Sequence, residues 1–403
     1  MKILIVIDQY DNGNNGTTMS ARRFVEALEK RGHEVSIVST GNARPNKYVV
    51  KKLPLTPLVS HIVSSQGMCF AIPSKKVLSN AMSKCDIVHF YMPFGLSTHG
   101  LKIAEELNVP HTAAFHVQPE NITYTIGLGK SKKVNDKIYE FYRDHFFNKF
   151  KHIHCPSNFI ANELKKHGYT ANLHVISNGI DPKFHYQKQE KSEELENKFV
   201  ITMIGRYSNE KRQDVLIDAI YHSKYSDDIQ LVLAGKGLNE EKYRELGKDL
   251  KNPPILKFYN NEDLVSLLAM SDLYVHAADA EIEAISCIEA FSCGLVPIIA
   301  NSKKSATPQF ALHENSLFVP GDSIDLAHKI DYWIEHTSER QEQEKLYAES
   351  GLKYHIENSI IQIEGMFEDA IREYNRWFRT NRRWIFSCAS LLEPFWYKCH
   401  KKL

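Results

Sequence analysis

Residues 2–40 read "KILIVIDQYDNGNNGTTMSARRFVEALEKRGHEVSIVST". The stretch begins with a continuous apolar run at 2–7, which is typical of a strand buried on both faces. A polar loop with two glycines follows, and 19–33 then has helical periodicity with a glycine near its end. Residues 34–40 form the next strand pattern. This strand–loop–helix–strand order is a βαβ unit, and it predicts a parallel sheet covered by helices.

The same order recurs along the chain and then restarts. The first series adds helices at 97–107 and 158–167 and strands at 86–92, 111–116 and 152–157. Residues 186–198, "YQKQEKSEELENK", are charged and lack apolar periodicity, which favours a linker. The second series has a helix at 211–222 and strands at 199–205, 229–235, 255–259, 272–278 and 316–321. We therefore predict two doubly wound α/β domains, at 1–185 and 199–365, with ligands bound in the cleft between them.

Composition narrows the class of protein. A chain of 403 residues favours two domains, and a net charge of +1 gives no general attraction for nucleic acid. The seven cysteines include no C-x-x-C pair, which fits a reducing compartment. Neither a signal peptide nor a run of about 18 apolar residues is present in the sequence. We expect a cytoplasmic chain that can still lie on a membrane surface.

Residues 277–300, "AADAEIEAISCIEAFSCGLVPIIA", carry three glutamates among small and apolar residues. The pattern predicts a helix at 284–293, with Glu281 in the loop before it and Glu289 about two turns inside. Glu281 and Glu283 complement the dipole at the start of this helix, but a mid-helix carboxylate at 289 needs a partner. Sugar hydroxyls would supply one. Asp279 and Glu281 have no supporting His or Asp cluster, so we predict no metal site.

Other candidate residues follow predicted strands. Arg206 and Lys211, in "GRYSNEK" at 205–211, could hold a diphosphate or could simply be solvated surface cations. The loop at 13–18 either binds an anion at the start of its helix or only connects two elements. It lacks the third glycine of a dinucleotide fingerprint, which disfavours NAD. His116 lies at a strand end and Asn178 in an Asn-Gly turn, and each has a structural and a functional interpretation.

Together, "GRYSNEK" and "EIEAISCIE" resemble the donor-site signature of the retaining glycosyltransferases of family 4. The resemblance implies the GT-B fold, two Rossmann-like domains facing a cleft, with a C-terminal helix that returns to the first domain; we assign 366–403 to this helix and a basic, aromatic tail. It implies that Arg206 and Lys211 bind the donor diphosphate, that Glu281 and His116 lie near the transferred sugar, and that Glu289 accepts from the ribose. The other implied donor-binding residues are Gly16, Asn178, Gly205, Ala284, Ile285 and Ser286. The family's usual E-P-F-G is here Glu-Ile-Glu-Ala at 281–284.

A narrower likeness exists to bacterial α-glucosyltransferases that act on membrane lipids. It is carried by "FHVQPENITYTIGLG", "IHCPSNFI" and "NSKKSATPQFAL" as well as "GRYSNEK". The likeness implies UDP-glucose as donor and a lipid hydroxyl, of diacylglycerol or a sterol, as acceptor. We predict separately that the reaction needs no cofactor or metal. Two alternatives stay open. One is a glycosyltransferase that extends a cell-surface polysaccharide or other saccharide, and the other is a non-catalytic nucleotide-sugar-binding protein.

Two segments combine basic and aromatic residues, a combination that favours binding to an anionic membrane surface. Residues 129–152 alternate lysine and arginine with six rings, although a core helix with a solvated face has the same pattern. Residues 376–403 carry seven basic residues and only one acidic residue, and they also contain three tryptophans. We therefore expect peripheral binding to the inner face of the cell membrane.

Overall fold

The computed structural model describes residues 1–11, 16–65 and 67–376. Its first domain contains a parallel seven-stranded sheet in the order β3-β2-β1-β4-β5-β6-β7. The strands are β1 (Lys2–Val6), β2 (Glu34–Ser39), β3 (Lys47–Val49), β4 (Ile87–Phe90), β5 (His111–Ala114), β6 (His152–Cys155) and β7 (Asn172–Val175). The helices are α1 (Gly16–Lys30), α2 (Pro57–Ser65), α3 (Lys75–Met82), α4 (Gly95–Glu106), α5 (Pro119–Thr125), α6 (Lys132–His145) and α7 (Asn158–Lys166), and a 3₁₀ turn spans Phe147–Lys149.

The second domain repeats the plan with six parallel strands in the order β10-β9-β8-β11-β13-β15. Its strands are β8 (Phe199–Ile204), β9 (Ile229–Ala234), β10 (Ile255–Lys257), β11 (Leu273–His276), β12 (Ala280–Glu281), β13 (Pro297–Ala300), β14 (Lys304–Ser305) and β15 (Leu317–Phe318), of which β12 and β14 pair separately. Its helices are α8 (Gln213–His222), α9 (Glu240–Leu246), α10 (Asn261–Met270), α11 (Ile285–Ser292), α12 (Ser323–Glu335) and α13 (Thr337–Gly351). Short 3₁₀ turns occupy Asn209–Lys211, Thr307–Phe310, Glu314–Ser316 and Leu352–Tyr354.

The chain passes between the domains twice, and the two passages lie side by side. Ile176 packs in the first core and Ile180 in the second, so the first passage lies between them, earlier than the predicted boundary at 185. A last helix, α14 (356–376), then returns to the first core. This return begins at Ile356 rather than at the predicted 366. The Ile180 amide donates to Tyr354 O at 2.8 Å and the Ile356 amide donates to Ile180 O at 3.0 Å, which joins the two passages.

The predicted linker at 186–198 is packed against the second domain. Leu195 is buried in its core, and Lys191 Nζ contacts Asp272 Oδ2 at 2.6 Å. The segment looks like a linker in sequence because its few anchoring residues have no period. The polar composition reflects an exposed surface and not a free connection.

Residues 129–152 are mainly structural. Five of their six rings are buried, at Tyr139, Tyr142, Phe146, Phe147 and Phe150, and Phe141 is 55% exposed. The buried rings pack on one another and on Phe115, so the predicted membrane-facing role is wrong for these five rings and stays a prediction for Phe141. The other predicted membrane segment, 376–403, lies outside the described residues from 377 onward. No helix among the described residues is both long and apolar enough to cross a membrane.

Side-chain hydrogen bonds join the two domains beside the cleft. Helix α5 of the first domain reaches the second, where Tyr124 Oη donates to Asp279 Oδ2 at 3.1 Å. Just before α5, Gln118 Nε2 donates to Lys304 O at 2.9 Å. Just before α7, Ser157 Oγ donates to Ile282 O at 2.6 Å. These bonds hold the carboxyl ends of the two sheets close together, which is where both sets of candidate residues lie.

Candidate active site

A cavity of about 730 Å³ lies between the two domains. The loops that follow the strands of both sheets line it, as expected for ligand sites of parallel α/β folds. The structure brings together every described site residue predicted from the sequence. The cavity is lined by Gly16, His116, Asn178, Gly205, Arg206, Lys211, Glu281, Ala284, Ile285, Ser286 and Glu289. Of the glycine loop at 13–18, residues 13–15 lie outside the described ranges.

The predicted cations lie on the second domain, directly after β8. Arg206 Nη2 contacts Glu210 Oε1 at 3.2 Å, and Lys211 Nζ is hydrogen-bonded to Glu281 Oε1. Lys211 ends a 3₁₀ turn, and its side chain is 15% exposed. Both cations therefore face the cavity while paired with carboxylates, and they are not the freely solvated surface cations of the structural alternative.

Glu281 is partly buried, with a side chain 12% exposed, and it is ionised. His276 Nε2 lies 3.2 Å from Oε1, the same oxygen that Lys211 contacts. Burial opposes ionisation of this carboxyl group, but Lys211 and His276 outweigh it and hold the pKa of Glu281 at about 2. Because both donors reach Oε1, the second oxygen is left to accept from a ligand hydroxyl.

Helix α11 begins at this point, beside the cavity. Its preceding residue, Ala284, has a left-handed backbone with φ of 67°. An L-residue pays roughly 1–2 kcal/mol for this conformation. Ile285 and Ser286 form the first turn and line the cavity. A helix start with unpaired amides binds anionic groups, so this turn can face a phosphate or a sugar oxygen.

Glu289 lies in the middle of α11 between buried Ile288 and Ala290. We expected this carboxylate to need a ligand, but the chain supplies a partner itself. Arg23 Nη2, from α1 of the first domain, lies 2.8 Å from Glu289 Oε1. Burial raises the pKa of Glu289, and the Arg23 charge works against that rise.

Glu283 faces the passage between the domains. Its Oε2 accepts from the Asn178 amide at 2.9 Å and from Asn178 Nδ2 at 2.7 Å, and Ser20 Oγ donates to Asn178 Oδ1 at 2.7 Å. Burial raises the pKa of Glu283 to about 7, while Ser177 and Asn178 oppose the rise. The third glutamate therefore links the loop before α11 to Asn178 and, through it, to Ser20 of the first domain, which the helix-dipole interpretation did not anticipate.

His116 follows β5 and stacks on Tyr91, with ring centroids 5.0 Å apart. Two further buried histidines, His89 and His154, lie behind it. Burial holds the pKa of His116 well below its ordinary value, and His154 and His89 lower it further. The imidazole is therefore neutral, and its Nε2 has no hydrogen-bond partner among the described residues. A neutral ring at this position can exchange one hydrogen bond with a ligand hydroxyl.

Sequence reasoning missed part of the polar wall. Gly235, Lys236 and Gly237 follow β9 and line the cavity beside Phe258, which is 54% exposed. A Cβ on Gly235 would lie 1.9 Å from Gly205 O, so only glycine fits this close approach. Lys236 Nζ lies 4.6 Å from the Phe258 ring centroid. The signal was present in the sequence, since a Gly-Lys-Gly turn directly follows a strand.

Sequence reasoning also missed the opposite wall, which the first domain supplies. Apart from polar residues such as His116 and Asn121, it is mainly apolar and comes from four separate stretches of chain. Its apolar side chains belong to Met19, Met68, Phe70, Met92, Phe94, Val117, Ile122 and Ile126. No periodicity links these residues, so the sequence gives no indication that they meet.

Two facing Rossmann-like domains, with cations, carboxylates and a helix start around one cleft, define a GT-B glycosyltransferase. The family models agree. The model described as Glycosyltransferase Family 4 matches residues 14–184, and the model described as Glycosyl transferases group 1 matches residues 186–350. The chain belongs to the family 4 glycosyltransferases, and it is an enzyme of the hexosyltransferase type.

Several known proteins are similar to this chain. An alpha-monoglucosyldiacylglycerol synthase of Streptococcus pneumoniae is 25% identical over 318 residues, which are 75% of this chain and 71% of that protein. The catalytic domain of a cholesterol-alpha-glucosyltransferase from Helicobacter pylori is 51% identical, over 39% of this chain and 98% of that one, with a TM-score of 0.38. The structure of Anabaena HepE in complex with UDP and glucose is 18% identical over 92% of this chain and 100% of that one, with a TM-score of 0.70. This last likeness confirms the fold.

Proposed function

We propose that the enzyme transfers glucose from UDP-glucose to a hydroxyl of a membrane lipid, diacylglycerol or a sterol, with retention of configuration. The observation that carries the proposal is the contrast between the two walls of the cavity. One wall offers cations, carboxylates and helix amides, and the other offers thioether, aromatic and aliphatic side chains.

The apolar wall supports a lipid acceptor. A saccharide carries a hydroxyl on nearly every carbon, and each hydroxyl buried without a partner costs about 1–3 kcal/mol. Methionine and phenylalanine offer no such partners, but they pack well on acyl chains or sterol rings. Met68, Phe70, Met92 and Phe94 are therefore suited to an acceptor with one hydroxyl on an apolar body.

The polar wall supports a sugar-diphosphate donor. Arg206 and Lys211 carry the positive charge that a diphosphate needs, and the start of α11 adds backbone amides. The name of the Streptococcus relative specifies glucosyl transfer to diacylglycerol, and HepE, which shares the fold, binds UDP and glucose. Both observations support UDP-glucose as the donor.

In the proposed step the bond from the sugar C1 to the phosphate oxygen breaks, and a bond from C1 to the acceptor oxygen forms. The acceptor proton moves to the departing phosphate oxygen on the same face of the sugar, which retains the configuration. Arg206 and Lys211 neutralise the charge that develops on the leaving diphosphate, so we propose that the reaction needs no metal. Glu281 and neutral His116 orient the glucose hydroxyls.

The same proposal includes an anionic membrane surface as partner, on the inner face of the cell membrane. At the end of α5, Ile126 is 59% and Leu128 is 45% exposed. Ile126 also lines the cavity. The neighbouring lysines at 130, 132, 133 and 137 are exposed. Apolar tips beside a row of cations favour an anionic interface, with the cavity beside it.

The test is product analysis by mass spectrometry. The enzyme is incubated with UDP-glucose and vesicles that contain diacylglycerol or sterol, with UDP-galactose, GDP-mannose and soluble oligosaccharides in parallel. We expect a monoglucosylated lipid that an α-glucosidase hydrolyses. Transfer only to oligosaccharides would contradict the lipid acceptor, and UDP binding without transfer or hydrolysis would favour a non-catalytic protein.

A further inference from the structure

Arg23 extends from α1 of the first domain into the donor wall of the second. Its Nη2 donates to Glu289 Oε1 at 2.8 Å, and its Nη1 donates to Gly179 O at 2.6 Å. The Arg23 side chain is 15% exposed and the Glu289 side chain 8%, so water screens this ion pair only weakly. The guanidinium thus binds a carboxylate of one domain and the backbone at the passage between the domains.

The contact leaves part of Glu289 available. Oε1 is the oxygen that Arg23 occupies, and among the described residues Oε2 accepts no hydrogen bond. Glu289 nevertheless lines the cavity. One oxygen is thus fixed by the guanidinium, and the other remains for a ligand hydroxyl.

The position of Arg23 is itself fixed. One helical turn earlier, Ser20 Oγ donates to Asn178 Oδ1 at 2.7 Å, and Asn178 is held in turn by Glu283. Helix α1 therefore has two bonded anchors beside Glu289. The adjacent Arg22 takes no part, because its Nε donates to Tyr10 O at 2.8 Å, away from the cavity lining.

We infer that Arg23 is a positioning residue for the nucleotide: it holds Glu289 by an ion pair in the orientation in which this carboxylate can accept from the ribose of a nucleoside diphosphate. The inference rests on the proposed function, since it requires a ribose in the donor site. It also means that Arg23 of the first domain contributes to donor affinity through Glu289, without touching the ribose itself. Nucleotide binding and closure of the cleft are then linked, because both depend on the same ion pair.

The experiment measures binding of UDP and of 2′,3′-dideoxy-UDP by calorimetry. It compares the full chain with Arg23→Met, Arg23→Lys and the matched control Arg22→Met. For Arg23→Met we expect UDP to bind about tenfold to a hundredfold more weakly, the usual scale for losing a hydrogen bond to a charged group. The dideoxy nucleotide lacks the hydroxyls that Glu289 would accept, so its affinity should change by less than about threefold. Arg23→Lys keeps the charge but cannot span both acceptors, so its loss should be intermediate.

Turnover gives a second readout. The KM for UDP-glucose should rise in Arg23→Met while kcat changes by less than about threefold, and Arg22→Met should match the unmodified enzyme. Equal or tighter UDP binding in Arg23→Met, or an equal loss for both nucleotides, would overturn the inference. An unmodified enzyme that fails to bind UDP at all would instead refute the proposed function, and the inference with it.

Discussion

Replacing Glu283 by glutamine should stabilise the protein, and by an amount that grows with pH. Burial raises the pKa of this carboxyl from 4.5 in the unfolded chain to about 7 in the folded one. Between these values the folded chain keeps a proton that the unfolded chain has released. The free energy of unfolding therefore falls as the pH rises from 4.5 to about 7, and the contribution is level above that.

The size of the effect follows from the two pKa values. One unit of pKa difference corresponds to about 1.36 kcal/mol, so the gap between 4.5 and about 7 costs the folded state about 3 kcal/mol once the group is ionised. At pH 5 the same linkage gives only about 1 kcal/mol. Glutamine is uncharged at every pH and retains an oxygen that accepts from Asn178. Its advantage should thus rise from about 1 kcal/mol at pH 5 to about 3 kcal/mol at pH 8.5.

Differential scanning calorimetry at the two pH values is the assay. For domains of this size about 1 kcal/mol moves the Tm by roughly 2–4 °C, so the variant should melt about 6–12 °C higher at pH 8.5 and only a few degrees higher at pH 5. Subtracting the unmodified protein at each pH cancels the contributions of all other groups. Glu281→Gln is the matched control of opposite sign. With its pKa held at about 2, it should destabilise equally at pH 5 and pH 8.5. The same Tm shift for Glu283→Gln at both pH values would refute the reasoning.

Three further predictions concern the reaction and the membrane. Lys211→Ala and Arg206→Ala should each lower kcat by about a hundredfold or more, because they remove positive charge that stabilises the leaving diphosphate. The circular dichroism spectrum should stay unchanged. Near-normal turnover in either variant would contradict that role. EDTA should leave the rate of glucose transfer unchanged, and a loss restored by added Mg²⁺ or Mn²⁺ would argue against a metal-free step. Phe147→Ala should lower the free energy of unfolding by about 3–5 kcal/mol because the ring is fully buried. Phe141→Ala should leave the stability unchanged and reduce only sedimentation with anionic vesicles, because this ring is exposed. Similar melting of the two variants would disprove the burial argument.

The sequence was informative where the chemistry is local and periodic. The central strands β1 and β8 could be recognised as apolar runs, at Lys2–Val6 and Phe199–Ile204. Arg206 and Lys211 of the polar wall could be recognised because they follow the strand β8 within a few positions. The sequence also indicated that a mid-helix carboxylate at Glu289 needs a partner, but that partner, Arg23, lies 266 residues away in the chain.

The rest depends on contacts between distant segments. The apolar wall collects Met19, Met68, Met92 and Ile122 from separate loops and helices, and no local pattern marks them as neighbours. The rings of 129–152 raise a different difficulty, because the same alternation of cations and aromatics fits a membrane face and a packed core. Phe147 is buried partly against rings from distant segments, Phe115 after β5 and Tyr169 after α7.

The return of α14 to the first domain sets an order of events during synthesis. Ile360, Ile363, Met366 and Phe367 are each at most 1% exposed and belong to the first core, although the ribosome adds them after the whole second domain. The amino-terminal half thus emerges with an apolar groove that stays open until the last helix arrives. A nascent chain halted before residue 356 should therefore be held by chaperones or aggregate, and the two halves should complete folding together rather than one after the other.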